Sequence, residues 1–260
     1  MLRRKLPVLW AAAIVLATVL ACSGTALAIT FGGVPDGNRH PNVGALVSES
    51  GLCTGTLISP TVLLTTAHCA NEGDTVSVTF DPNPASNSPV YTGTFHPDPR
   101  YTGTVGDART SEVASGHNGA VVVFERPVMG ITPAQLPTLG QLERLPGNEQ
   151  FTLVGYGVQW AVGTDVIPPG AEGGRREYAT TALTEIFPDH LQLSSQNPPR
   201  GGACLGDSGG PNFLGAGSAE TNVIAATTLA GSEICGLWYE AYRLDTQEAR
   251  SFLGNYVVLP

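Results

Sequence analysis

The stretch "GACLGDSGGP" at residues 202–211 places a single serine, Ser208, among glycines and other small residues. Glycines permit a tight backbone turn, so the hydroxyl of Ser208 can project where another molecule reaches it. A serine hydroxyl is a weak nucleophile unless a neighbouring base removes its proton. The stretch therefore indicates a nucleophile only if the chain also supplies that base, and is otherwise an ordinary surface loop.

The stretch "LLTTAHCA" at residues 63–70 supplies a candidate base. His68 follows an apolar run and is adjacent to Cys69, which could fix its loop covalently. A neutral imidazole can take the proton of a serine near neutral pH. Chain order narrows the fold further, because the G-x-S-x-G motif of α/β-hydrolases has its histidine after the serine. All histidines of this chain precede Ser208: His40, His68, His96, His117 and His190.

The first 28 residues have the pattern of a secretory signal peptide. A basic start at residues 3–5 precedes an apolar run at residues 8–21, and Ala-Leu-Ala at residues 26–28 forms a cleavage site. The apolar run is shorter than the ~20 residues that span a bilayer. We therefore expect a secreted, extracellular protein with no membrane association after cleavage, and residues 1–28 are excluded from the fold.

Charge and cysteine content restrict the partners and cofactors. Three of the 13 Lys and Arg residues lie in residues 1–28, so cleavage leaves 10 basic and 22 acidic residues, a formal charge of −12. Such an acidic chain disfavours nucleic acid as a partner. Four cysteines remain, which predicts two disulfides with three possible pairings. The chain has no C-x-x-C motif or closely spaced Cys/His quartet, so we expect no metal and no cofactor.

Short apolar runs separated by Gly- and Pro-rich turns predict many short β-strands, typical of a sandwich or barrel. The candidates are residues 43–48, 54–59, 62–67, 75–80, 120–124, 151–157, 176–183, 191–195, 222–229 and 240–244. A Pro-rich stretch at residues 126–137 divides them into two groups. One helix is predicted near the C-terminus, with Asp245 as its N-cap and Glu248 three residues further on.

Three motifs together resemble the trypsin/chymotrypsin-like serine proteases, and in detail their secreted bacterial members. They are "TGTLISPTVLLTTAHC" at residues 54–69, "GACLGDSGGP", and "YRLDTQEARSFL" at residues 242–253. The resemblance covers the chain from Ile29 to the final helix. It implies an all-β fold of two packed six-stranded antiparallel β-barrels with a C-terminal α-helix. The N-terminal barrel, with His68, would occupy residues 29–135, and the C-terminal barrel, with Ser208 and the helix, residues 136–260.

The same resemblance implies roles for individual residues. His68 would be the general base, Ser208 the nucleophile, and the N–H groups of Gly206 and Ser208 the oxyanion hole. The disulfides would be Cys53–Cys69 and Cys204–Cys235. Signal cleavage would expose the ammonium of Ile29, which could pair with Asp207, although this chain has one residue more before its Gly-Gly pair than the family's Ile-x-Gly-Gly.

The third member of the expected triad departs from the family pattern. The family's acid stands directly before an apolar strand, and in "NGAVVVF" at residues 118–124 that place is taken by Asn118. An amide cannot supply the negative charge that stabilises an imidazolium. Asp107 and Glu112 are the nearest upstream carboxylates and remain alternatives. His117, beside Asn118, is interpreted as an ordinary loop residue.

The resemblance also locates a specificity pocket, formed by Gly202, Ala203, Leu205 and Gly231. Gly202 stands where trypsin-like members that select Arg or Lys carry an acid, so we expect an uncharged side chain before the scissile bond. Glu240 could restore a basic preference if it reached the pocket wall, but a solvated position is favoured.

These observations predict a secreted serine endopeptidase that acts as a monomer on peptide or protein substrates and is weakened by Asn118. Two alternatives remain open. One is a catalytically silent homologue that binds a peptide or protein in the old cleft, and the other is a secreted esterase that uses the same acyl-transfer chemistry.

Overall fold

The computed structural model describes residues 29–30, 33–106, 117–159, 173–194, 201–231 and 235–260. Within these ranges the chain forms thirteen β-strands and a single α-helix. The described helix is too short and too polar to cross a membrane. The predicted signal peptide lies outside the described residues.

The first barrel contains six antiparallel strands and is closed by the pairing of its first and fourth strands along the chain. Its strands are β2 (Val43–Ser48), β3 (Gly51–Ser59), β4 (Val62–Thr66), β5 (Thr75–Thr79), β6 (Tyr91–Pro97) and β7 (Gly119–Phe124). Along β7 the side chains of Ala120, Val122 and Phe124 lie in the barrel core, whereas Val121 joins the cluster between the barrels. Burial on both faces explains why this strand reads as an uninterrupted apolar run.

The second barrel is also antiparallel and has six strands, closed by the pairing of β8 with β9. Its strands are β8 (Gln150–Gly155), β9 (Glu177–Ile186), β10 (His190–Ser194), β11 (Pro211–Leu214), β12 (Ile224–Gly231) and β13 (Trp238–Arg243). The fold predicted from the sequence, two six-stranded barrels and a C-terminal helix, is therefore confirmed. All ten strand candidates overlap observed strands.

Three strands and one helix boundary differ from the sequence prediction. Strand β1 (Val34–Pro35), β6 and β11 were not predicted, because they are very short or carry too few apolar side chains to show a clear pattern. Helix α1 (Gln247–Leu253) begins one residue later than predicted, and the N-cap is Thr246, whose side chain accepts the Ala249 N–H. Asp245 was wrongly taken for the cap; its carboxylate instead accepts the Leu142 N–H and binds Arg243.

Each terminal segment of the described chain packs on the barrel formed by the other half of the chain. Strand β1 adds to the edge of β9, so the residues after Ile29 join the second sheet. In the opposite direction, Phe252 of α1 lies beside Gly119, at the start of β7 in the first barrel. We keep residues 29–135 and 136–260 as a proposed division into domains, although each terminal segment packs on the other half.

A fully buried ion pair also joins the two halves. The Nε of Arg176, just before β9, lies 2.7 Å from a carboxylate oxygen of Asp36. The other guanidinium nitrogens donate to the carbonyl oxygens of Gly37, Val43 and Phe80. Burial opposes ionisation of Asp36, but hydrogen bonds from His40 and Arg176 outweigh it and keep the pKa of Asp36 below its ordinary value.

Removing the cation of this pair should destabilise the fold strongly. We expect Arg176→Ala to lower the free energy of unfolding by about 3–5 kcal/mol, because it leaves the buried carboxylate of Asp36 uncompensated. Arg39→Ala is the matched control, since the side chain of Arg39 is 39% exposed in its pair with Glu220 and such pairs contribute only about 0–1 kcal/mol. Urea unfolding of both variants checks this, and equal losses would contradict it.

Candidate active site

His68 lies in a short 3₁₀ turn, Ala67–Cys69, that directly follows β4. Its side chain is buried, and its carbonyl oxygen accepts the Gly106 N–H at 2.8 Å. The adjacent Cys69 is bonded to Cys53 of β3, as predicted. The turn that presents the imidazole is thus attached to the neighbouring strand by a covalent bond.

Ser208 lies in a loop of the second barrel whose backbone requires glycine. Gly206 and Gly209 have φ values of +97° and +80°, a region that disfavours residues with a Cβ. A Cβ on Gly209 would also lie 2.1 Å from Oγ1 of Thr65 in the first barrel. The predicted disulfide Cys204–Cys235 is present and anchors the start of this loop.

The first barrel holds this loop in place through Thr54 of β3. The Thr54 N–H donates to the Ser208 carbonyl oxygen at 2.8 Å, and its hydroxyl donates to the Gly206 carbonyl oxygen at 2.9 Å. Both carbonyl groups are therefore turned toward the first barrel. The N–H groups of Gly206 and Ser208, the predicted oxyanion donors, donate to no acceptor among the described residues.

His68 and Ser208 line the same cavity, although they come from different barrels. The cavity has a volume of about 290 Å³. Its lining residues are Ser50, Gly51, Leu52, Cys53, His68, Cys69, Gly106, Val158, Leu205, Gly206 and Ser208. The hydroxyl of Ser208 is 3.4 Å from the Leu229 carbonyl oxygen, a long hydrogen bond that holds it weakly. The structure thus brings together the predicted base, the predicted nucleophile and the two predicted oxyanion donors.

Asn118 is fully buried immediately before β7, against the turn that carries His68. The Ala67 N–H is shared between its side-chain Oδ1, at 3.0 Å, and its backbone oxygen, at 3.1 Å. Oδ1 therefore faces the residue that precedes His68. The alternative carboxylates Asp107 and Glu112 lie outside the described residues. His117 points to the buried Asp98, with Nδ1 3.6 Å from its carboxylate.

Asp207, beside the nucleophile, is completely buried and is not among the residues that line the cavity. Its two carboxylate oxygens accept the N–H groups of Gly157 and Cys204, at 2.8 and 2.9 Å. Burial raises the pKa of Asp207 to about 7, despite these hydrogen bonds, and the nearby charge of Glu177 adds to the rise. A Cβ on Gly155 would lie 2.0 Å from the Asp207 carboxylate, so this glycine, unnoticed in the sequence, makes room for the acid.

The predicted pocket residues fall into two sets. Leu205 lines the cavity beside Ser208. Gly202 and Ala203 are buried, and Gly231 pairs with Tyr239 of β13. The carboxylate of Glu240 lies 3.9 Å from His190 and its side chain is 24% exposed, so it is partly buried rather than fully solvated.

The side chains of Cys53, His68 and Cys69 come close enough together to suggest a metal site. Both cysteines are, however, joined in the disulfide. They therefore cannot act as thiolate ligands, and the cluster does not fit a metal ion.

The raised pKa of Asp207 predicts how stability depends on pH while Ile29 remains in peptide linkage. An acid with a pKa near 7 in the folded state and about 3.9 in the unfolded state binds protons more tightly when folded. Its contribution to stability is complete below about pH 4 and is lost as the pH rises to about 7. We expect the free energy of unfolding to fall over this range by up to about 1.4 kcal/mol per pH unit.

Denaturant unfolding between pH 4 and 8 tests this expectation. Asp207→Asn should remove most of the slope, because the amide does not titrate. Glu49→Gln, at an exposed position, should leave it unchanged. Parallel curves for the parent and Asp207→Asn would show that the buried carboxyl is not the source of the pH dependence.

Comparison with known proteins agrees with this architecture. The family model for trypsin matches residues 29–236. The chain is 26% identical over 220 residues to glucanase inhibitor protein 4 of Phytophthora infestans, covering 81% of this chain and 82% of that protein. It is 27% identical over 181 residues to a trypsin of Phaedon cochleariae, covering 62% of this chain and 64% of that protein. This chain therefore spans less than two thirds of that trypsin's length.

Two solved structures share the fold at low sequence identity. A mutant of human heparin binding protein superposes with a TM-score of 0.64 at 15% identity, covering 87% of this chain and 95% of that one. HL collagenase superposes with a TM-score of 0.64 at 17% identity, covering 87% and 97%. The matched family model, the two barrels and the placement of His68 and Ser208 agree: the chain belongs to the trypsin family of serine protease-type hydrolases.

Proposed function

We propose that this chain is a secreted serine endopeptidase that acts as a monomer on peptide or protein substrates. The observation that carries the proposal is the shared cavity, which His68 enters from the first barrel and Ser208 from the second. A base, a nucleophile and two N–H groups without acceptors among the described residues are the components that acyl transfer requires.

The proposed reaction uses only groups of this chain. Ser208 attacks the peptide carbonyl while His68 takes its proton, and the N–H groups of Gly206 and Ser208 stabilise the oxyanion that forms. His68 then protonates the leaving amine, and water hydrolyses the acyl-enzyme with His68 again acting as base. The weak hydrogen bond between the Ser208 hydroxyl and Leu229 is exchanged for one to His68 at the start of the reaction.

Asn118 should make this reaction slow. An N–H donor must face an acceptor, so the atom of Asn118 next to the Ala67 N–H is oxygen and the other end of the amide is NH₂. We propose that this NH₂ end approaches Nδ1 of His68 in the reacting enzyme; among the described residues no hydrogen bond joins these two side chains. Donation from NH₂ to Nδ1 selects the tautomer that is protonated at Nε2, the nitrogen that must take the proton of Ser208.

Asn118→Asp should therefore raise kcat by about 10⁴, the size of the effect of the reverse change in a serine protease, equivalent to about 5.5 kcal/mol of barrier. The carboxylate would keep the hydrogen bond from Ala67 and add the missing charge. Steady-state kinetics of both proteins on one activated peptide ester and one amide measure this. In the parent, higher pH should partly relieve the defect.

The control for trace contaminants is Ser208→Ala in both backgrounds, which should abolish turnover. A parent that is already fast, with little change in Asn118→Asp, would contradict the assignment of Asn118. It would indicate that another carboxylate, such as Asp107, meets His68.

A silent binding protein is the second candidate function, favoured by Asn118 together with the name of one relative, glucanase inhibitor protein 4. Organophosphate labelling separates the two functions, because it requires a reactive serine. We expect stoichiometric labelling of Ser208, slow in the parent and faster in Asn118→Asp. No labelling of either protein would favour the binder. Turnover of short-chain esters without turnover of casein would favour an esterase.

We further propose that cleavage after Ala28 lets the ammonium of Ile29 pair with Asp207. Ile29 is already buried among the core residues of the second barrel, at a φ of +71° that is unusual for a β-branched residue. Cleavage removes that torsion and creates a cation, which we propose moves to the buried carboxyl of Asp207. The purified protein should begin Ile-Thr-Phe and lose the pH dependence attributed to Asp207. Another N-terminus would refute the proposed cleavage site.

A further inference from the structure

Tyr239 occupies the position in β13 directly opposite Gly231 of β12. Its side chain is completely buried and is among the largest that are. Residues directly opposite in an antiparallel pair project from the same face of the sheet. The ring of Tyr239 therefore leaves the strand on the face where a side chain at position 231 would lie.

That face is the one on which the specificity pocket was predicted. A Cβ on Gly231 would lie 3.4 Å from the Cβ of Tyr239 and 3.6 Å from the carbonyl oxygen of Ala203. Gly231 and Ala203 were both expected to line the pocket, and the side chain of Tyr239 begins beside the position that a Gly231 side chain would occupy. It also belongs to the same buried cluster as Ala203.

The far end of the ring is anchored inside the second barrel. The hydroxyl of Tyr239 donates to Oδ1 of the buried Asn212 at 2.7 Å. The Asn212 amide in turn donates to Oγ1 of Thr228 at 3.2 Å. If the hydroxyl left this network, the buried Oδ1 of Asn212 would lose its hydrogen-bond donor, which is unfavourable. The ring is therefore held in place.

Gly202 is the remaining residue that was predicted to line the pocket. Its backbone is already hydrogen-bonded to another segment of this chain. Its N–H and carbonyl pair with the backbone of Thr30, at 3.2 and 3.1 Å. The hydroxyl of Thr30 adds hydrogen bonds to the carbonyl oxygens of Gly202 and Cys235, at 2.8 and 2.7 Å. No backbone group of Gly202 is left to receive the end of a long side chain, and Gly202, Ala203 and Gly231 do not line the cavity beside Ser208.

We propose that Tyr239 fills the pocket for the residue before the scissile bond and restricts that residue to glycine or alanine. This inference rests on the proposed peptidase function and names its substrate class. The sequence predicted an uncharged residue before the scissile bond. The position of Tyr239 restricts this prediction to the two smallest residues, glycine and alanine. A larger side chain would have to displace a ring that is packed and hydrogen-bonded.

The test is a set of peptide thioesters that differ only in that residue: glycine, alanine, leucine or phenylalanine. For the parent we expect kcat/KM to be at least ~100-fold higher for alanine than for phenylalanine, since pocket size alone discriminates by about 10–200-fold. Tyr239→Ala should reduce this ratio by a similar factor. Tyr239→Phe, which keeps the ring, and Trp238→Ala, its partly exposed neighbour, should retain the preference of the parent.

A parent that prefers leucine or phenylalanine would overturn the proposal, as would a ratio unchanged in a folded Tyr239→Ala variant. The parent's profile decides the question even if that variant does not fold.

If Ser208 takes no organophosphate and no substrate turns over, the peptidase function has failed. Calorimetric titration with phenol then tests the pocket alone. We expect binding to Tyr239→Ala and none to the parent, because an emptied apolar cavity accepts such a ligand; binding to the parent would show an open pocket.

Discussion

The geometry of the site depends on one hydrogen bond, from the Ala67 N–H to Oδ1 of Asn118. It connects the turn that carries His68 to the start of β7, and it fixes which end of the amide each neighbour meets. Because the backbone N–H can only donate, the atom of Asn118 that faces Ala67 is oxygen, and we propose that the NH₂ end meets the imidazole of His68. An aspartate would have had a second oxygen for that purpose. We therefore propose that an amide at this position keeps the contact with Ala67 and changes the proton chemistry of His68.

The two barrels are coupled at the nucleophile loop as well as by the chain termini. Thr54 of the first barrel holds the carbonyl groups of Gly206 and Ser208, which orients their peptide units, and Gly209 is the residue that fits against Thr65. The Arg176–Asp36 pair and the crossing terminal segments reinforce the same contact. Small movements between the barrels would therefore alter both the distance from His68 to Ser208 and the positions of the proposed oxyanion donors. The geometry of the proposed site thus depends on the contact between the barrels rather than on either barrel alone.

Much of this arrangement could be predicted from the sequence because it depends on local patterns. Alternating and continuous apolar runs located ten strands, and the motifs around His68 and Ser208 identified the family and both disulfides. Features set by long-range register could not be predicted. The proposed role of Tyr239 follows from its position opposite Gly231 across two strands, and nothing in the local sequence "LWYEA" indicates it. The same holds for Gly155, whose missing side chain makes room for Asp207, and for Asp245, which is drawn away from the helix cap by Arg243 and Leu142.

The central claim, that an amide at position 118 determines the protonation of His68, can be read directly from the imidazole nitrogens. Nitrogen-15 chemical shifts of His68, measured above its pKa in protein labelled at histidine, report which nitrogen carries the proton of the neutral ring. We expect a proton on Nε2 in the parent and on Nδ1 in Asn118→Asp. A proton on Nδ1 in the parent, with the same shifts in both proteins, would contradict it and would mean that an acceptor other than Asn118 holds the ring.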